Sequence, residues 1–439
     1  MSLLDNMGTT PAYAAIFADA SVVAVMLRFE VALARAEARL GIIPAAAAEA
    51  IAAAAATAAF DAAEIGRAAH SSGTIAIPLA AALTARVRDA SPEAAAFVHR
   101  GATSQDVTDT TLVLCLAKAG KLLSDDHQRL RDGLRRLSDA HADSVMLGRT
   151  LLQPATPTTF GLKVAGWFGA ISRSGAQMER AFEEASVLQF GGASGTLAAL
   201  GPDGSAVARE LARELDLHVP DAPWHAHRDR LARLVAACGI YTGTLGKVAR
   251  DISLLMQHEV AEAAEPGGGS STMPHKRNPA GCAVVLAAAT RLPGLVATFL
   301  SGMPQEHERG LGNWHAESAT VSVAVQATGS ALTALVTVLE TLAVDPARMR
   351  ANLDRMGGLV YAEGAMMRLA PALGRVAAEQ VIAAALEEAR NTGQGFIRTL
   401  AADAEVQAAL GPDGLAGFDR PETYLGMAEH FRRSLLGDA

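Results

Sequence analysis

One loop of the sequence concentrates residue types that could bind an anion and move a proton. Residues 267–279 read GGGSSTMPHKRNP. Glycines let the backbone turn freely and present amide N–H groups to an anion. The same Gly/Ser-rich composition is also typical of a flexible connection between helices. A P-loop is excluded because no Gly-Lys-Ser/Thr follows the glycines.

Two further segments carry polar residues at close spacing. Residues 99–106 read HRGATSQD, and residues 148–154 read GRTLLQP. Taken singly, such polar side chains are more often surface or capping residues, because most of them are exposed in folded proteins. His225 and His227 lie close together at the start of a predicted helix, where we expect a solvated helix end rather than a site. The sequence has no Rossmann glycine pattern and no metal-spaced His/Cys set, so we predict no cofactor and no metal.

Composition limits the class of protein. The 439 residues are 50% hydrophobic and only 4% aromatic, with a formal net charge of −8. Because the basic residues are dispersed, a surface for nucleic acid or anionic membranes is not expected. The three cysteines are odd in number and far apart, which favours a reducing cytoplasm over a disulfide scaffold. The N-terminal residues lack the pattern of a signal peptide.

Long helices must position these segments. Alanine-rich stretches combine strong helix propensity with small side chains. Apolar residues alternate steps of three and four, which predicts one long helix over 229–262 of about 50 Å. This seam consists of Leu231, Leu234, Cys238, Tyr241, Leu245, Val248, Ile252 and Leu255. We expect further long helices over 108–141, 157–188 and 315–340, and hence a bundle.

The stretch from Ser318 to Leu339 has no charged residue and could span a bilayer by length. Because it is interleaved with Ser, Thr and Gln and has no basic flank, we expect a helix buried within the bundle. Shorter helices are indicated by capping signals at Asp61, Ser91 and Asp345. We therefore divide the chain into an N-terminal helical domain (1–107), a central bundle that carries the loop (108–355) and a C-terminal helical domain (356–439).

The loop closely resembles the signature of the fumarase/aspartase superfamily, GSSxMPxKxNP, and is matched by GSSTMPHKRNP here. The other two segments resemble that superfamily's HxGxTSxD and G-R/Y-T-H-x-Q segments. The resemblance implies an all-α fold with a long central helix bundle flanked by two small helical domains. It also implies a cytoplasmic homotetramer whose central helices form one core and whose active sites are each assembled from three subunits.

The resemblance assigns roles to residues of all three segments. Ser270 matches the serine that transfers the proton, and Lys276 could stabilise its alkoxide. The residues expected to bind the carboxylates of a small substrate are His99, Thr103, Ser104, Arg149, Thr150, Gln153, Ser271, Met273 and Asn278.

Two departures from the superfamily pattern narrow the chemistry. The histidine that acts as general acid in the lyases is replaced by Leu151, and the glutamate that orients it by Ala283. An amine or hydroxide must be protonated to leave, whereas a carboxylate (reference pKa about 4) leaves as an anion. The sequence thus resembles the cycloisomerase branch, which closes 3-carboxy-cis,cis-muconate to a lactone in protocatechuate breakdown by the β-ketoadipate route.

Two alternatives remain at this stage. An adenylosuccinate-type lyase shares the MPHKRNP form, but it would need the missing acid, which typically supplies 10²–10⁴-fold in rate. A non-catalytic scaffold would also explain the lost pair, although it does not explain the intact loop.

Overall fold

The computed structural model describes residues 3–57, 60–269 and 272–438. Within these residues helices dominate the regular structure, which confirms the predicted all-α class. The α-helices in chain order are α1 Pro11–Ile16, α2 Asp19–Arg39, α3 Ala45–Thr57, α4 Ala62–Ser72, α5 Ala76–Ala90, α6 Ser104–Ala140, α7 Phe160–Ala185, α8 Gly204–Leu215, α9 Asp229–Leu255, α10 Ala280–Ser301, α11 Asn313–Thr341, α12 Pro346–Asp354, α13 Ala362–Leu373, α14 Arg375–Thr392, α15 Phe396–Ala402, α16 Ala404–Leu410 and α17 Ala428–Leu436. The strands are β1 Val145–Thr150, β2 Gln153–Thr159, β3 Ala263–Ala264 and β4 Ala343–Val344. Short 3₁₀ helices cover Leu3–Asp5, Ala94–Phe97, Ala198–Asp203, Leu359–Tyr361 and Pro421–Tyr424.

The chain packs as two compact units, each built from three separate segments. Unit 1 comprises 1–128, 173–247 and 283–335, and unit 2 comprises 129–172, 248–282 and 336–439, both within the described ranges. The predicted domains 1–107, 108–355 and 356–439 are continuous ranges of sequence, and their boundaries differ from those of the two units. This division stays a prediction.

Each unit has its own apolar core. In unit 1, α2 packs on α3 and α8, and α3 packs on α5, around buried side chains such as Phe29, Leu83 and Val207. In unit 2, α13 packs on α14 and α16 around Leu369, Phe396 and other buried residues. Burial of this apolar surface at about 25 cal/mol per Å² is the main stabilising contribution to both cores.

The heptad helix is confirmed, but it is shorter than predicted. All eight seam residues are at most 5% exposed, yet α9 ends at Leu255 instead of 262. The chain leaves the helix through Ala261, whose φ of +52° lies in the left-handed region. This turn brings Glu262 N to within 2.9 Å of the Leu255 carbonyl, which satisfies an acceptor at the helix end.

An antiparallel hairpin of β1 and β2 occupies residues that the sequence analysis left without structure or placed in a helix. Residues 157–159 belong to β2, so the helix predicted over 157–188 is in fact α7, from Phe160 to Ala185. Thr150 pairs with Gln153 across a two-residue turn. A second, very short ladder pairs Ala263 with Val344.

Two of the three predicted caps are confirmed. The Asp61 carboxylate accepts from the N–H groups of the second and third residues of α4, at 2.8 and 3.3 Å. The Asp345 carboxylate accepts from Arg348 N at 2.9 Å at the start of α12. After Ser91 a short 3₁₀ helix does form, over Ala94–Phe97, but its N-cap is Glu93, so the cap predicted at Ser91 was wrong.

Two of the described helices are long and apolar enough to cross a membrane by length and composition. The uncharged stretch lies in α11. Of the apolar 18-residue stretch of this helix, 67% is buried within the protein, in agreement with the expected bundle helix. In α10 only 22% of the corresponding 18-residue apolar stretch is buried.

A buried ion network joins α6, the start of α9 and α11 in unit 1. Arg228 directly precedes α9 and is 2% exposed. Its guanidinium donates to both carboxylate oxygens of Asp109 on α6, at 2.7 and 3.0 Å. It also donates through Nε to Glu317 on α11, at 2.8 Å. The Trp224 ring lies 4.6 Å from the guanidinium carbon, which adds a cation–π contact.

Neutral donors complete the network. Asp109 also accepts from the side chains of Gln105 and Gln189 at 3.1 Å and from Trp314 Nε1 at 3.0 Å. Burial alone raises the pKa of Asp109, but Arg228 and these hydrogen bonds outweigh it and hold the pKa below its ordinary value. Burial therefore does not neutralise Asp109, because its charge is paired and hydrogen-bonded.

We predict that Arg228→Ala destabilises the protein by about 3–5 kcal/mol, because it leaves the buried Asp109 and Glu317 carboxylates without their cation. Arg233→Ala is the matched control on α9. Its partner Glu184 lies 3.1 Å away, but both side chains are 40% or more exposed, so the loss should be at most about 1 kcal/mol. Urea denaturation at equal protein concentration measures both, and equal midpoints would contradict the prediction.

Candidate active site

Thr103 and Asp106 form the N-terminus of α6, in the segment that carries three of the predicted site residues. The carboxylate of Asp106 is fully buried and accepts from Thr103 N at 3.0 Å, which is the acidic half of a capping box. It also accepts from the backbone N–H groups of Gly191 and Gly192 at 3.0 and 2.9 Å. Asp106 therefore fixes the start of α6, where Ser104 is the first helical residue, against the 191–192 turn.

His225 belongs to the same cluster. Its Nε2 lies 2.7 Å from Asp106 Oδ1, and the residue is 3% exposed. The expectation of a solvated helix end was thus wrong for His225, whereas His227 is exposed as expected. The neighbouring Arg228 is buried as well. The partners of His225 and Arg228 lie 119 residues earlier on α6, so the local sequence carries no sign of them.

Arg309 is a further candidate that the sequence analysis did not name as a site residue. Its guanidinium donates to Thr103 Oγ1 at 2.6 Å and to the Ala193 carbonyl at 2.7 Å. Its surroundings are solvent-exposed, so a guanidinium and a hydroxyl lie together at an accessible position. This pair is suited to hold a carboxylate, because guanidinium–carboxylate hydrogen bonds are charge-assisted.

His99 lies just before this segment and pairs with a buried carboxylate. Its Nδ1 is 2.7 Å from Glu30 Oε1 on α2, and the side chains are 25% and 1% exposed. Burial lowers the pKa of His99, but the hydrogen bond and charge of Glu30 outweigh it and raise the pKa above the ordinary value. The imidazole is therefore biased toward its cationic form.

The hairpin tip of unit 2 carries Thr150 and Gln153, both exposed. Between them, Leu151 and Leu152 form the turn with φ of +49° and +63°. Two left-handed residues are the geometry of a type I′ hairpin, which normally selects Asn and Gly. Their side chains are 96% and 76% exposed. The side chain of Leu151 is thus almost unpacked within the described chain.

Arg149 anchors this hairpin instead of presenting its guanidinium to open solvent. It donates to both oxygens of Glu262 at 2.9 and 2.6 Å, and Glu262 is fully buried. Glu262 also accepts from Asn352 Nδ2 on α12 at 2.8 Å. Since Glu262 directly precedes β3, the pair fixes β1 relative to the start of the signature loop.

The signature loop is closed at its base by backbone contacts. Asn278 N donates to the Gly268 carbonyl at 2.8 Å, and Gly269 bridges Arg277. Gly268 has φ of +75°, and a Cβ there would collide with the Asn278 carbonyl, so glycine is required. Ser270 and Ser271, the residues expected to transfer the proton and to bind substrate, lie outside the described residues.

Lys276 lies at the edge of a cleft of about 790 Å³ in unit 2, and Met273 is 41% exposed. The basic residues that line this cleft are His258, His275, Lys276 and Arg277. The positive charges of Lys276 and Arg277 suit an anionic ligand, and Asp345 is the acidic residue in the lining.

The structure groups the predicted site residues into two sets. His99, Thr103 and Ser104 lie together in unit 1, and Arg309 joins them. Unit 2 holds the hairpin residues Arg149, Thr150 and Gln153 and the loop residues Met273, Lys276 and Asn278. Within the part of the chain that the structure describes, no three His, Cys, Asp or Glu side chains are placed to hold a metal ion.

Comparison with known proteins places the chain in a family. A family model described as lyase matches residues 6–294, and one described as adenylosuccinate lyase C-terminus matches residues 358–434. The chain belongs to the fumarase/aspartase family of lyases. This confirms the resemblance inferred from the signature loop.

Three relatives of this lyase-family chain are informative. It is 46% identical over 438 residues to 3-carboxy-cis,cis-muconate cycloisomerase of Bradyrhizobium diazoefficiens, covering 99% of this chain and 97% of the relative. It is 38% identical to nitrosuccinate lyase of Streptomyces davaonensis, covering 95% and 90%. The crystal structure of the 3-carboxy-cis,cis-muconate lactonizing enzyme from Pseudomonas putida superposes with a TM-score of 0.93 at 44% identity, covering 99% and 98%.

Proposed function

We propose that the protein is an isomerase that converts 3-carboxy-cis,cis-muconate to a carboxymuconolactone. One carboxylate oxygen of the substrate bonds to C4, the π electrons move to give an aci-carboxylate, and a proton is then added at carbon. One C–O bond and one C–H bond form as one C=C bond is lost. The pathway that we assign to it is protocatechuate breakdown, in the cytoplasm.

The identity of residue 151 carries this proposal. Where the lyases have a general acid, this chain has Leu151, whose side chain is displayed at the hairpin tip and cannot donate a proton. The orienting glutamate is replaced by Ala283 on α10. A carboxylate that attacks a double bond, or leaves in the reverse direction, needs no such donor. The relative from Bradyrhizobium that carries the cycloisomerase name supports the same reaction.

In this proposal Ser270 transfers the proton to carbon, and Lys276 and Asn278 bind the carboxylate whose charge develops. A cationic neighbour lowers the cost of that charge in the transition state. Thr103, Arg309 and His99 bind a second carboxylate. Thr150 and Gln153 flank Leu151, which forms an apolar wall. Arg149 acts through Glu262 and holds the hairpin in place.

Nitrosuccinate cleavage is the second candidate, because nitrite is a weakly basic anion that also leaves without a general acid. The 38% identical relative from Streptomyces davaonensis has that name. The greater identity to the cycloisomerase favours lactone formation. Adenylosuccinate cleavage is disfavoured because its amine leaving group requires the missing acid.

We further propose that the chain forms a homotetramer whose sites are shared among three subunits. The exposure of helix α10 supports this proposal, because only 22% of its apolar 18-residue stretch is buried. Its exposed residues are mostly small, among them Ala283, Ala287, Gly294 and Ala297. Exposed apolar surface on this scale usually marks an interface, and small residues allow another helix to approach closely.

The first test is a substrate assay. We expect purified protein to consume 3-carboxy-cis,cis-muconate, seen as loss of diene absorbance, and to leave adenylosuccinate, argininosuccinate and fumarate unchanged. Turnover of nitrosuccinate alone would establish the second candidate. Turnover of adenylosuccinate would refute the argument from Leu151, and turnover of none of these compounds would favour the non-catalytic scaffold.

The second test concerns Ser270. We expect Ser270→Ala to lower kcat by about 10²–10⁴-fold, the usual contribution of a positioned proton-transfer group. Ser434→Ala, at an exposed position of α17, is the matched control and should retain full activity. If Ser270→Ala keeps most of its rate, another group delivers the proton.

The third test concerns assembly. Sedimentation should give about 180 kDa, four times the 45.3 kDa chain. Ala287→Glu puts a charge on the exposed face of α10 and should yield smaller species with little activity. Ala383→Glu, at an exposed position of α14, is the matched control. A wild-type protein that sediments as a monomer would contradict the proposal.

A further inference from the structure

Helix α2 presents two buried carboxylates to the segment before α6. Glu30 and Glu37 are 2% and 0% exposed, and their spacing of seven residues places them on one face of the helix. Glu37 Oε1 lies 3.8 Å from Arg100 Nε, and Glu30 Oε1 lies 2.7 Å from His99 Nδ1. Two consecutive basic residues are thus matched by two acidic residues on α2.

The backbone at His99 adopts an unfavourable conformation that accompanies the contact with Glu30. His99 has φ of +58°, a region that residues other than glycine seldom occupy. Such a conformation is unfavourable by itself and persists only where the surroundings determine it. The contact with Glu30 is the interaction that holds the ring on α2. The side chain nevertheless stays 25% exposed, whereas that of Glu30 is 1% exposed.

The charged groups around His99 favour an imidazolium. Glu30 faces the ring from α2, and Asp106 faces the segment from α6, where His225 binds it. Glu37, two turns further along α2, lies against Arg100 instead, and burial raises its pKa to about 7. The cations nearby are engaged elsewhere: Arg100 is next to Glu37, and Arg309 donates to Thr103. Burial lowers the pKa of His99, but Glu30 foremost, and then Asp106, raise it by more.

Glu30 also determines which nitrogen is left to act. A carboxylate only accepts, so Nδ1 carries the proton that lies between them, and the remaining donor of the imidazolium is Nε2–H. Thr103 lies four residues after His99, and its hydroxyl accepts a hydrogen bond from the Arg309 guanidinium at 2.6 Å. The segment therefore combines a fixed cationic ring, a hydroxyl and a guanidinium, which is a donor set for carboxylate.

We propose that Glu30 is a positioning residue that holds His99 in one orientation and in its cationic form, so that His99 binds a carboxylate of the substrate. This inference rests on the proposed function for the identity of the substrate. It assigns to a residue of α2, outside the three recognised segments, control over how substrate affinity depends on pH.

Glu30→Gln tests it, because glutamine keeps an acceptor for Nδ1 but removes the charge. His99 in the variant should lose its proton at lower pH. We expect the alkaline limb of kcat/KM to move down by about one pH unit, and KM at pH 7.5 to rise about tenfold with kcat changed less than about threefold. Below about pH 5.5 the KM values should converge, because His99 is then charged in both proteins.

Three variants separate positioning from a merely structural role. Glu37→Gln is the matched control on the same buried face and should leave the alkaline limb in place, since Glu37 lies against Arg100. Glu30→Asp keeps the charge and should restore most of the shift in the limb. In His99→Gln the limb should vanish, and adding Glu30→Gln to it should then change KM no further.

A second measurement does not depend on turnover. In wild-type protein labelled with ¹³C at histidine Cε1, the resonance that disappears in His99→Gln identifies His99. Its titration midpoint should lie above that of free histidine, fall in Glu30→Gln, and rise further with propane-1,2,3-tricarboxylate, an unreactive tricarboxylate. If the tricarboxylate leaves the midpoint unchanged, or if Glu30→Gln does, the inference is overturned. Loss of the proposed function alone would show instead as a wild-type protein inactive on carboxymuconate that still shows both shifts.

Discussion

The guanidinium of Arg228 is buried between two carboxylates that come from different helices, and the geometry of unit 1 depends on it. A buried ion of this kind is costly unless it is fully paired, and this one is paired with Asp109 and Glu317. Asp109 lies within the first two turns of α6, one turn beyond Asp106. Acidic residues at this end also complement the positive end of the helix dipole. The pairing therefore fixes the helix whose N-terminus carries Thr103 and Ser104.

Left-handed backbone recurs where the candidate site is built. Outside glycine, the described residues with positive φ are His99, Leu151, Leu152, Leu197, Asp216, Ala261 and His307. His99 and the two leucines belong to the site segments, Ala261 directly precedes Glu262, and His307 lies two residues before Arg309. Each such position costs of order 1–3 kcal/mol and is kept only by specific partners. At His99 the partner is Glu30. The Arg149–Glu262 ion pair lies beside two other such positions, because Arg149 is two residues before Leu151 and Glu262 directly follows Ala261.

Local patterns predicted well what local forces decide. The heptad seam of α9 was predictable because burial of one helix face imposes its period on the sequence, and the Asp61 and Asp345 caps because each carboxylate bonds N–H groups two or three residues away. The burial of His225 and Arg228 could not be predicted, since polar side chains at a helix start normally face water and the carboxylates that they bind lie on α6. The hairpin was missed because its turn uses two leucines where Asn and Gly are the usual signal.

The loss of one proton donor at Leu151 changes what the rest of the site must do. An enzyme that expels a basic leaving group needs an acid, and a buried glutamate to orient it. Retaining the glutamate alone would leave a carboxylate without the histidine that it orients, so loss of both is chemically coherent. A carboxylate that closes onto a double bond needs cations instead, because three negative groups are held close together while one of them becomes a neutral ester. We propose that Lys276, Arg309 and the His99–Glu30 pair supply charge for that purpose, and that Leu151 supplies an apolar surface. The absence of an acid at Leu151 and the presence of cationic side chains at the candidate site therefore both follow from one reaction, the closure of a carboxylate onto a double bond.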